Sequence, residues 1–391
     1  MKTVTLKPGR EGPVRAGHPW VFSGAIARIT GDGPAGALAH VVASDGTPIG
    51  VGYVNPRCTI TARMLSRKIE EIDADFIRKR LQSALALRRA VVPPDTTGYR
   101  LLNGEGDFLP GIVVDVYHPF LVCQFLTAGA DALKPLVVQA LVDLFAPRGI
   151  YEKSEGGVRQ EEGLANTAGV LWGEEPPSLV EIQEHGNRFL IDIAGGQKTG
   201  FFLDQRENRV LAGTLASGKT VLNGFAYTGG FSVAAARHDA THVVSVDTST
   251  AALRIARQNW QKNGLSDGHG TFIREDMFSL LRETRESFDL IVLDPPPFVR
   301  RRQDLKSGLT GYKEINLQAL RLLASGGQLL TFSCSQHVSA ADFCQTVLFA
   351  AADTRRKVRV LRHLGPSADH PTNLAHPEGT YLKGLWLWIG D

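Results

Sequence analysis

The chain has 391 residues, a net charge of +3, 43% hydrophobic residues and 21% charged residues. This length predicts two or three domains, and the composition is typical of a folded globular protein rather than a disordered or fibrous one. The small charge excess does not by itself indicate nucleic-acid binding, because clustering of basic residues matters more. The four cysteines form no CxxC pair, no basic and apolar leader opens the chain, and no apolar run reaches membrane-spanning length. We therefore expect a reduced, cytoplasmic protein without a metal site or a disulfide framework.

The first predicted domain covers residues 1–70 and is a small β-barrel. Short apolar runs alternate there with Gly- and Pro-rich turns, and a Ser-Asp-Gly sequence at 44–46 is a hairpin signal. Lys7 and Arg10 are among its basic residues. Such residues either contact RNA or form an ordinary solvated surface, and their spacing alone favours neither.

The second predicted domain, residues 71–178, mixes helices and strands. A helix over 73–90 begins at a capping Asp73 and ends before Pro93, and its basic residues, Arg88 among them, are interpreted as a solvated face. Trp172 begins the best candidate for a linker, at 172–178, because two prolines follow. The other predicted elements are strands at 112–117 and 120–125, a helix near 131–145 and a strand near 149–152.

The third predicted domain, residues 179–391, alternates apolar strands with helices, which indicates an α/β fold. Its central stretch, VLNGFAYTGGFSV at 221–233, has the strand, Gly-containing turn and helix that bring backbone close to a nucleotide-like ligand. The dinucleotide fingerprint G-x-G-x-x-G is absent, and no Lys follows the turn as in a P-loop. The stretch therefore indicates either a ligand without a triphosphate or an ordinary tight turn.

Three strands that follow in this domain end on carboxylates. Asp247 comes about twenty residues after the turn, the distance at which a carboxylate accepts the ribose hydroxyls of an adenosine ligand. Asp276 and Asp294 end the next two strands. Because the carboxyl ends of parallel strands share one edge of a sheet, these residues outline a ligand crevice.

Together, FAYTGGFS, the strand ending at Asp247 and DPPPF at 294–298 resemble class I S-adenosylmethionine-dependent methyltransferases. The whole chain resembles the ribosomal RNA large subunit methyltransferase I family, which makes 5-methylcytosine in large-subunit (23S) rRNA. LKPGR and GHPWVFSGAI resemble its opening PUA domain, which binds structured RNA. YRLLNGEGDFLPGIVVDVY resembles its central domain, and PEGTYLKGLWLWI its ending. The resemblance implies a seven-stranded sheet with an antiparallel last strand, S-adenosylmethionine as cofactor and rRNA as partner, and it leaves a homodimer open.

The DPPPF turn and Cys334 would carry the chemistry. Two prolines after Asp294 make a stiff turn that can hold the carboxylate against a base edge and Phe298 against its face. Cys334, in TFSCS at the end of the fifth strand, would add to carbon 6 of cytosine and activate carbon 5. The alternative for any such cysteine is an inert buried thiol. Cys344, in the middle of a helix with Leu348 on its face, is interpreted as core.

The cofactor and RNA contacts follow from the motifs and the resemblance. Arg300, Arg301 and Arg302 follow the DPPPF turn and would grip phosphates, the alternative being a solvated loop. The resemblance adds a segment at 195–209 that lies over the cofactor. The predicted cofactor contacts are Gln197, Gly200, Asn223, Phe225, Tyr227, Thr228, Gly229, Asp247, Asp276 and Asp294.

Two other functions remain open from the sequence. DPPPF also occurs in enzymes that methylate exocyclic amines and need no nucleophile, and Cys334 argues against that reaction. A non-catalytic rRNA-binding assembly factor is the third hypothesis. Four residues argue against it: Asp247, Asp276, Asp294 and Cys334.

Overall fold

A computed structural model describes residues 1–390 of the chain. The chain divides into two compact units. Unit 1 consists of Met1–Ile182, Ile191–Leu203 and Ala368–Gly379, and unit 2 consists of Gln183–Leu190, Asp204–Ser367 and the chain from Thr380. Within residues 1–390 no helix combines the length and the apolar character needed to cross a membrane. The division into three domains stays a prediction.

The first sheet of unit 1 is a curled, six-stranded sheet in the order β2-β6-β5-β4-β1-β3, so the prediction of a small β domain is confirmed. Its strands pair antiparallel except for β1 and β4, which are parallel. The elements are β1 (Lys2–Leu6), α1 (Gly12–Arg15), β2 (Trp20–Phe22), β3 (Ile26–Thr30), β4 (Ala37–Val42), β5 (Pro48–Val54) and β6 (Ile60–Ser66).

The second sheet of unit 1 has five strands in the order β11-β10-β9-β8-β7. Its strands are β7 (Gly98–Asn103), β8 (Ile112–Tyr117), β9 (Phe120–Phe125), β10 (Gly149–Ser154) and β11 (Thr167–Gly173). The helices beside it are α2 (Ala74–Val91), α3 (Ala128–Phe145) and α4 (Gly157–Glu161). Val51, Tyr53 and Leu65 of the first sheet belong to the same buried core as this second sheet, so unit 1 has a continuous interior.

Unit 1 differs from the sequence-based predictions in three respects. β7 and β11 were not predicted, and β11 includes Trp172, where the linker was expected to begin. α3 begins three residues before 131 because the hydroxyl of Thr127 accepts a hydrogen bond from the Ala130 N–H at 3.3 Å and caps the helix. Arg88 is not on a solvated face: it is 1% exposed and pairs with Asp107.

Unit 2 contains a seven-stranded sheet in the order β16-β15-β14-β17-β18-β20-β19, with β20 antiparallel to both neighbours, as predicted. A hairpin, β12 (Val180–Glu184) and β13 (Asn187–Ile191), precedes it. The strands are β14 (Thr220–Gly224), β15 (His242–Asp247), β16 (Gly270–Arg274), β17 (Phe288–Leu293), β18 (Leu323–Ser333), β19 (Lys357–Leu364) and β20 (Lys383–Gly390). The helices are α5 (Arg206–Ala216), α6 (Gly230–Ala236), α7 (Thr250–Lys262), α8 (Met277–Glu283), α9 (Leu305–Leu322) and α10 (Ala340–Thr354).

Local sequence explains how these helices pack on the sheet. In α7, Ser249 caps the first turn by accepting a hydrogen bond from the Ala252 N–H at 3.2 Å. Leu253, Ala256 and Trp260 form the buried stripe of this helix. Trp260 is 1% exposed, and burial of a large apolar side chain contributes roughly 1.5–3 kcal/mol. β14, β15, β16, β17 and β18 are parallel, so their carboxyl ends lie at one edge of the sheet.

Candidate active site

The turn after β14 holds the backbone in a costly conformation. Phe225 and Tyr227 have φ values of 59° and 48°, which side chains of this size rarely adopt. Gly229, at φ 79°, starts α6, and a Cβ there would lie 3.0 Å from Ala256 Cβ. Strain of this kind persists where the surrounding structure fixes it, as at ligand sites. The buried Asn223 Oδ1 has no hydrogen-bond partner in residues 1–390, although its Nδ2 donates to Ser232 Oγ at 2.8 Å.

Asp247 is half-buried at the end of β15 and braces this turn. Its Oδ2 accepts from the Tyr227 N–H and its Oδ1 from the Ser249 N–H, both at 2.8 Å. Each carboxylate oxygen has a second lone pair, so the side chain keeps acceptor capacity for a ligand. The predicted contacts Thr228 and Gly229 lie in the same turn, and Thr228 Oγ1 is another buried atom without a partner in the described chain.

Asp276 has a structural task that explains its position. It precedes α8, and its Oδ1 accepts from the Ser279 N–H at 3.1 Å, which is an N-cap. Its side chain is exposed. The cap accounts for the position of Asp276 by itself, and its role as a cofactor contact stays a prediction.

The DPPPF turn follows β17 and carries a cluster of aromatic rings. Phe298 is half-buried, and its ring centroid lies 4.6 Å from Tyr312, 5.6 Å from Phe278 and 6.3 Å from Phe225. Asp294 is half-buried at the start of the turn. The turn therefore places a carboxylate and a supported aromatic ring at the carboxyl edge of the sheet.

Cys334 follows β18 directly and lies against the DPPPF turn. Its Sγ is 3.7 Å from the carbonyl oxygen of Pro295, and the register of β17 with β18 pairs Leu293 with Thr331. The side chain is half-buried. The predicted proximity of Cys334 to the Asp294 turn is thus present.

The other three cysteines have different surroundings. Cys123 is fully buried, and burial raises the pKa of its thiol. Cys58 lies in the turn between β5 and β6, and burial raises the pKa of its thiol to about 11. Cys344 packs against the core as predicted, but Leu348, expected on the same face, is 61% exposed.

Lys383 was not predicted to belong to this site. It begins β20, is 7% exposed, and donates to the carbonyl oxygens of Ser335 at 2.7 Å and Val338 at 2.6 Å. Ser335 Oγ is also held, by the Tyr312 hydroxyl at 2.8 Å and the Val299 N–H at 3.2 Å. The signal in the sequence was a single lysine within the apolar run of the last strand.

The remaining predicted site residues are the basic residues and two members of the segment at 195–209. Arg300, Arg301 and Arg302 are exposed just before α9. In unit 1, Lys7 and Arg10 are exposed, and the Lys7 ammonium donates to the Gly24 carbonyl oxygen at 2.9 Å. Also in unit 1, Gln197 is exposed, whereas Gly200 is buried at φ 124°, where a Cβ would lie 2.6 Å from Ile191 Cγ2.

Comparison with known proteins assigns the fold and the family. A family model of S-adenosylmethionine-dependent methyltransferases matches residues 140–366, and a PUA-like domain model matches residues 4–67. Ribosomal RNA large subunit methyltransferase I of Photobacterium profundum is 44% identical over 99% of both chains, and that of Aeromonas salmonicida is 44% identical over 98% of both. A structure described as a SAM-dependent methyltransferase from Streptococcus mutans superposes with a TM-score of 0.86 at 23% identity over all of both chains. A second methyltransferase structure, complexed with SAH, gives a TM-score of 0.87 at 23% identity, also over all of both chains.

The residues of unit 2 fit S-adenosylmethionine. Asp247 offers spare acceptor capacity at a strand end, Asn223 has an unsatisfied buried oxygen in the neighbouring turn, and Phe225 offers a half-exposed ring. No lysine or P-loop glycine pattern for a triphosphate is present in the sequence of that turn. With the family models and the relatives, this shows that S-adenosylmethionine is the cofactor and that the chain belongs to the ribosomal RNA large subunit methyltransferase I family.

Proposed function

We propose that this protein methylates carbon 5 of a cytosine in large-subunit ribosomal RNA through a covalent bond between Cys334 and the base. The observation that carries the proposal is the position of Cys334, half-buried at a sheet carboxyl end with its Sγ 3.7 Å from the Pro295 carbonyl oxygen of the DPPPF turn. The curated relatives are named as rRNA large subunit methyltransferases, which supports rRNA as the substrate.

The chemistry requires a nucleophile because carbon 5 of cytosine is a poor one. S-adenosylmethionine supplies an electrophilic methyl group on a sulfonium sulfur. Addition of the Cys334 thiolate to carbon 6 forms a C–S bond and moves the electron pair of the 5,6 double bond onto carbon 5. Once carbon 5 has been methylated, loss of its proton returns that electron pair to the ring and expels the thiolate.

Asp294 and Phe298 are assigned to the base. A protonated or proton-sharing Asp294 carboxyl hydrogen-bonds ring nitrogen 3 and draws charge away from carbon 6, which eases thiolate attack. Phe298, supported by Tyr312 and Phe278, offers a face against which a flipped base stacks. The polar and aromatic contacts are thus divided between the edge and the face of the same base.

Unit 1 contains a cavity suited to RNA outside the reaction site. Its volume is about 680 Å³, and its lining includes Phe108, Arg67 and Arg80. Phe108 is 50% exposed at φ 60°, and the Arg80 guanidinium lies 5.6 Å from its ring centroid. Arg67 and Arg80 donate to backbone carbonyls, at Arg15 and Leu65, so both guanidinium groups keep donors for phosphate. Aromatic rings beside cations bind single-stranded nucleotides, and with Lys7 and Arg10 they support unit 1 as an RNA platform.

The decisive experiment uses rRNA that carries 5-fluorocytosine at the target. Methyl transfer proceeds, but fluorine cannot leave as a proton does, so the enzyme stalls as an RNA adduct that survives denaturing electrophoresis. Cys334→Ala is expected to form no adduct and no 5-methylcytosine while still binding S-adenosylmethionine.

Cys344→Ala is the matched control, because that cysteine is also half-buried in unit 2 but packs against the core. It is expected to behave like the parent protein. If Cys334→Ala methylates at a near-parental rate, the nucleophile is wrong and methylation of an exocyclic amine becomes the better proposal. If the parent methylates nothing but binds rRNA, the assembly-factor hypothesis replaces both.

A further inference from the structure

Lys383 is a buried cation whose neighbours do not neutralise it. Its ammonium donates to the carbonyl oxygens of Ser335 and Val338, which are neutral dipoles. An ammonium has three N–H donors, so one donor stays without a protein partner in the described chain. No carboxylate of residues 1–390 lies within 4.0 Å of it. Burying an ammonium without a counter-charge is costly unless a nearby anion offsets the loss of water.

The anion that can offset this cost is the thiolate of Cys334. Burial lowers the pKa of Lys383, and the negative charge of an ionised Cys334 opposes that shift. Lys383 pairs with Ser333 across β18 and β20, one residue before Cys334, and its ammonium grips the carbonyl of Ser335, one residue after it. Cys334 therefore lies between the residue that pairs with Lys383 in the sheet and the residue whose carbonyl oxygen accepts from the Lys383 ammonium.

We propose that Lys383 is a positioning residue that holds the segment after Cys334 and stabilises the thiolate form of its side chain. The inference rests on the proposed function for the use of that thiolate. The thiol proton leaves to solvent water, and Lys383 stays protonated throughout and forms no bond to the base. Stabilising the charged form raises the fraction of nucleophile present at neutral pH, because the thiolate rather than the thiol attacks.

Three other ionisable groups near Cys334 bear on the stability of its thiolate. Asp294, from the DPPPF turn, has the opposite effect when it is ionised, since like charges disfavour each other. Tyr312, from α9, stays neutral because burial raises its pKa. His337 is exposed on the following loop. Lys383, from β20, is therefore the buried group in this part of the described structure that favours the thiolate.

The test is the pH dependence of alkylation of Cys334 by iodoacetamide, followed by mass mapping of the modified peptide in the full-length protein. Cys344→Ala serves as the background, because Cys58 and Cys123 have raised pKa values and stay protonated. Lys383→Gln keeps N–H donors for the two carbonyls and removes the charge. We expect its alkylation midpoint to rise, with Cys334 about tenfold less reactive at pH 7. Lys383→Arg keeps the charge and is expected to remain near the parent.

Binding of S-adenosylhomocysteine and the thermal midpoint check that each variant is folded. A Lys383→Gln midpoint equal to that of the parent overturns the proposal and leaves Lys383 a purely structural residue. Should Lys383→Gln fail to fold, the proposal is decided by Lys383→Arg and the parent: lower reactivity in Lys383→Arg despite intact folding contradicts it. A shifted midpoint together with absent 5-fluorocytosine adducts supports the charge coupling and rejects the cytosine chemistry, so the two proposals fail separately.

Discussion

Arg88 of unit 1 and Lys383 of unit 2 are both buried cations, but their surroundings differ. In unit 1, Arg88 is 1% exposed, forms two bonds to the carboxylate of Asp107, at 2.5 and 2.7 Å, and donates to two backbone carbonyls. In unit 2, Lys383 is 7% exposed and donates to two carbonyls alone. Asp107 neutralises Arg88 within the fold. Lys383 has no such counter-ion, and a reactive anion can provide one.

Two more buried arginines of unit 1 also pair with carboxylates. Arg63 pairs with Glu162 at 2.6 Å and Arg100 pairs with Asp115 at 2.7 Å, all four side chains being largely buried. A buried pair of this kind adds little net stability but is expensive to break, because removal of one partner strands the other charge. Compensated charges in unit 1 are therefore expected to matter for folding, and charges at the sheet edge of unit 2 for binding and reaction.

The largest expected effect is on the stability of unit 1. Asp107→Ala leaves the Arg88 guanidinium buried without its counter-ion and is expected to lower the free energy of unfolding by about 3–5 kcal/mol. Asp75→Ala is the control, because Asp75 pairs with Arg78 on the surface and such pairs contribute about 0–1 kcal/mol. Denaturant titrations measure both. Equal losses in the two variants would mean that burial of the pair has no special cost here.

The next effect is on cofactor affinity in unit 2. Asp247→Ala removes the proposed acceptor of two ribose hydroxyls, a loss of roughly 2–4 kcal/mol if each such bond contributes ~1.5 kcal/mol. Asp289→Ala is the matched control: Asp289 accepts from the Thr220 N–H at 2.9 Å and from its hydroxyl at 2.8 Å, at the amino end of the sheet. Calorimetry with S-adenosylhomocysteine is expected to show weak binding only in Asp247→Ala, and unchanged affinity there would place the ribose elsewhere.

The sequence predicted the role of a charged residue where that role depends on neighbouring residues in the chain, and not where it depends on a distant partner. Asp247 and Asp294 were predicted because a strand-end position follows from local patterns of apolar residues. Arg88 was misread because its helical spacing matches a solvated face, and its partner Asp107 lies outside the helix. Lys383 was missed for the same reason, since its two acceptors belong to the segment after β18.

The same difference between local and distant causes applies to the strands. The seven-stranded sheet and its antiparallel last strand were predicted from the family resemblance, and the central strands β14, β15 and β17 are also distinct apolar runs in the sequence. β7 and β11 were not predicted, because YRLLN reads as the start of a polar loop and TAGVLWG contains two glycines. Pairing with β8 and β10 supplies what their own sequences lack.

A smaller effect is expected when unit 1 is acidified. Burial alone would raise the pKa of Glu162, but the Arg63 charge and hydrogen bonds from Asn55 and the Ala128 N–H outweigh it, so the pKa lies below its usual value. The stability contributed by this carboxylate is therefore complete above the unfolded-state pKa of about 4.3 and is lost as pH falls through the lower folded-state value, by up to about 1.4 kcal/mol per pH unit. Urea titrations from pH 6 to pH 3 measure it. In Glu162→Gln this acid-dependent part is expected to be missing, and an unchanged pH slope would contradict the assignment.

The smallest effect concerns cations that the fold leaves in solvent. Arg300, Arg301 and Arg302 are exposed and form no ion pair in the described structure, which costs little because water solvates them. They are thus free to meet RNA phosphates next to the reaction site. Each replacement by Ala is expected to weaken binding of an rRNA fragment about fivefold at 0.1 M salt and to reduce the slope of log affinity against log salt by about 0.7, the value for one phosphate contact on a single strand. Arg355→Ala, which removes an exposed arginine after α10, is the control and is expected to leave that slope unchanged. Equal slopes for Arg301→Ala and Arg355→Ala would mean that the loop after DPPPF is only solvated surface, and the charges that hold RNA would then have to be sought among Lys7, Arg10 and the cavity of unit 1.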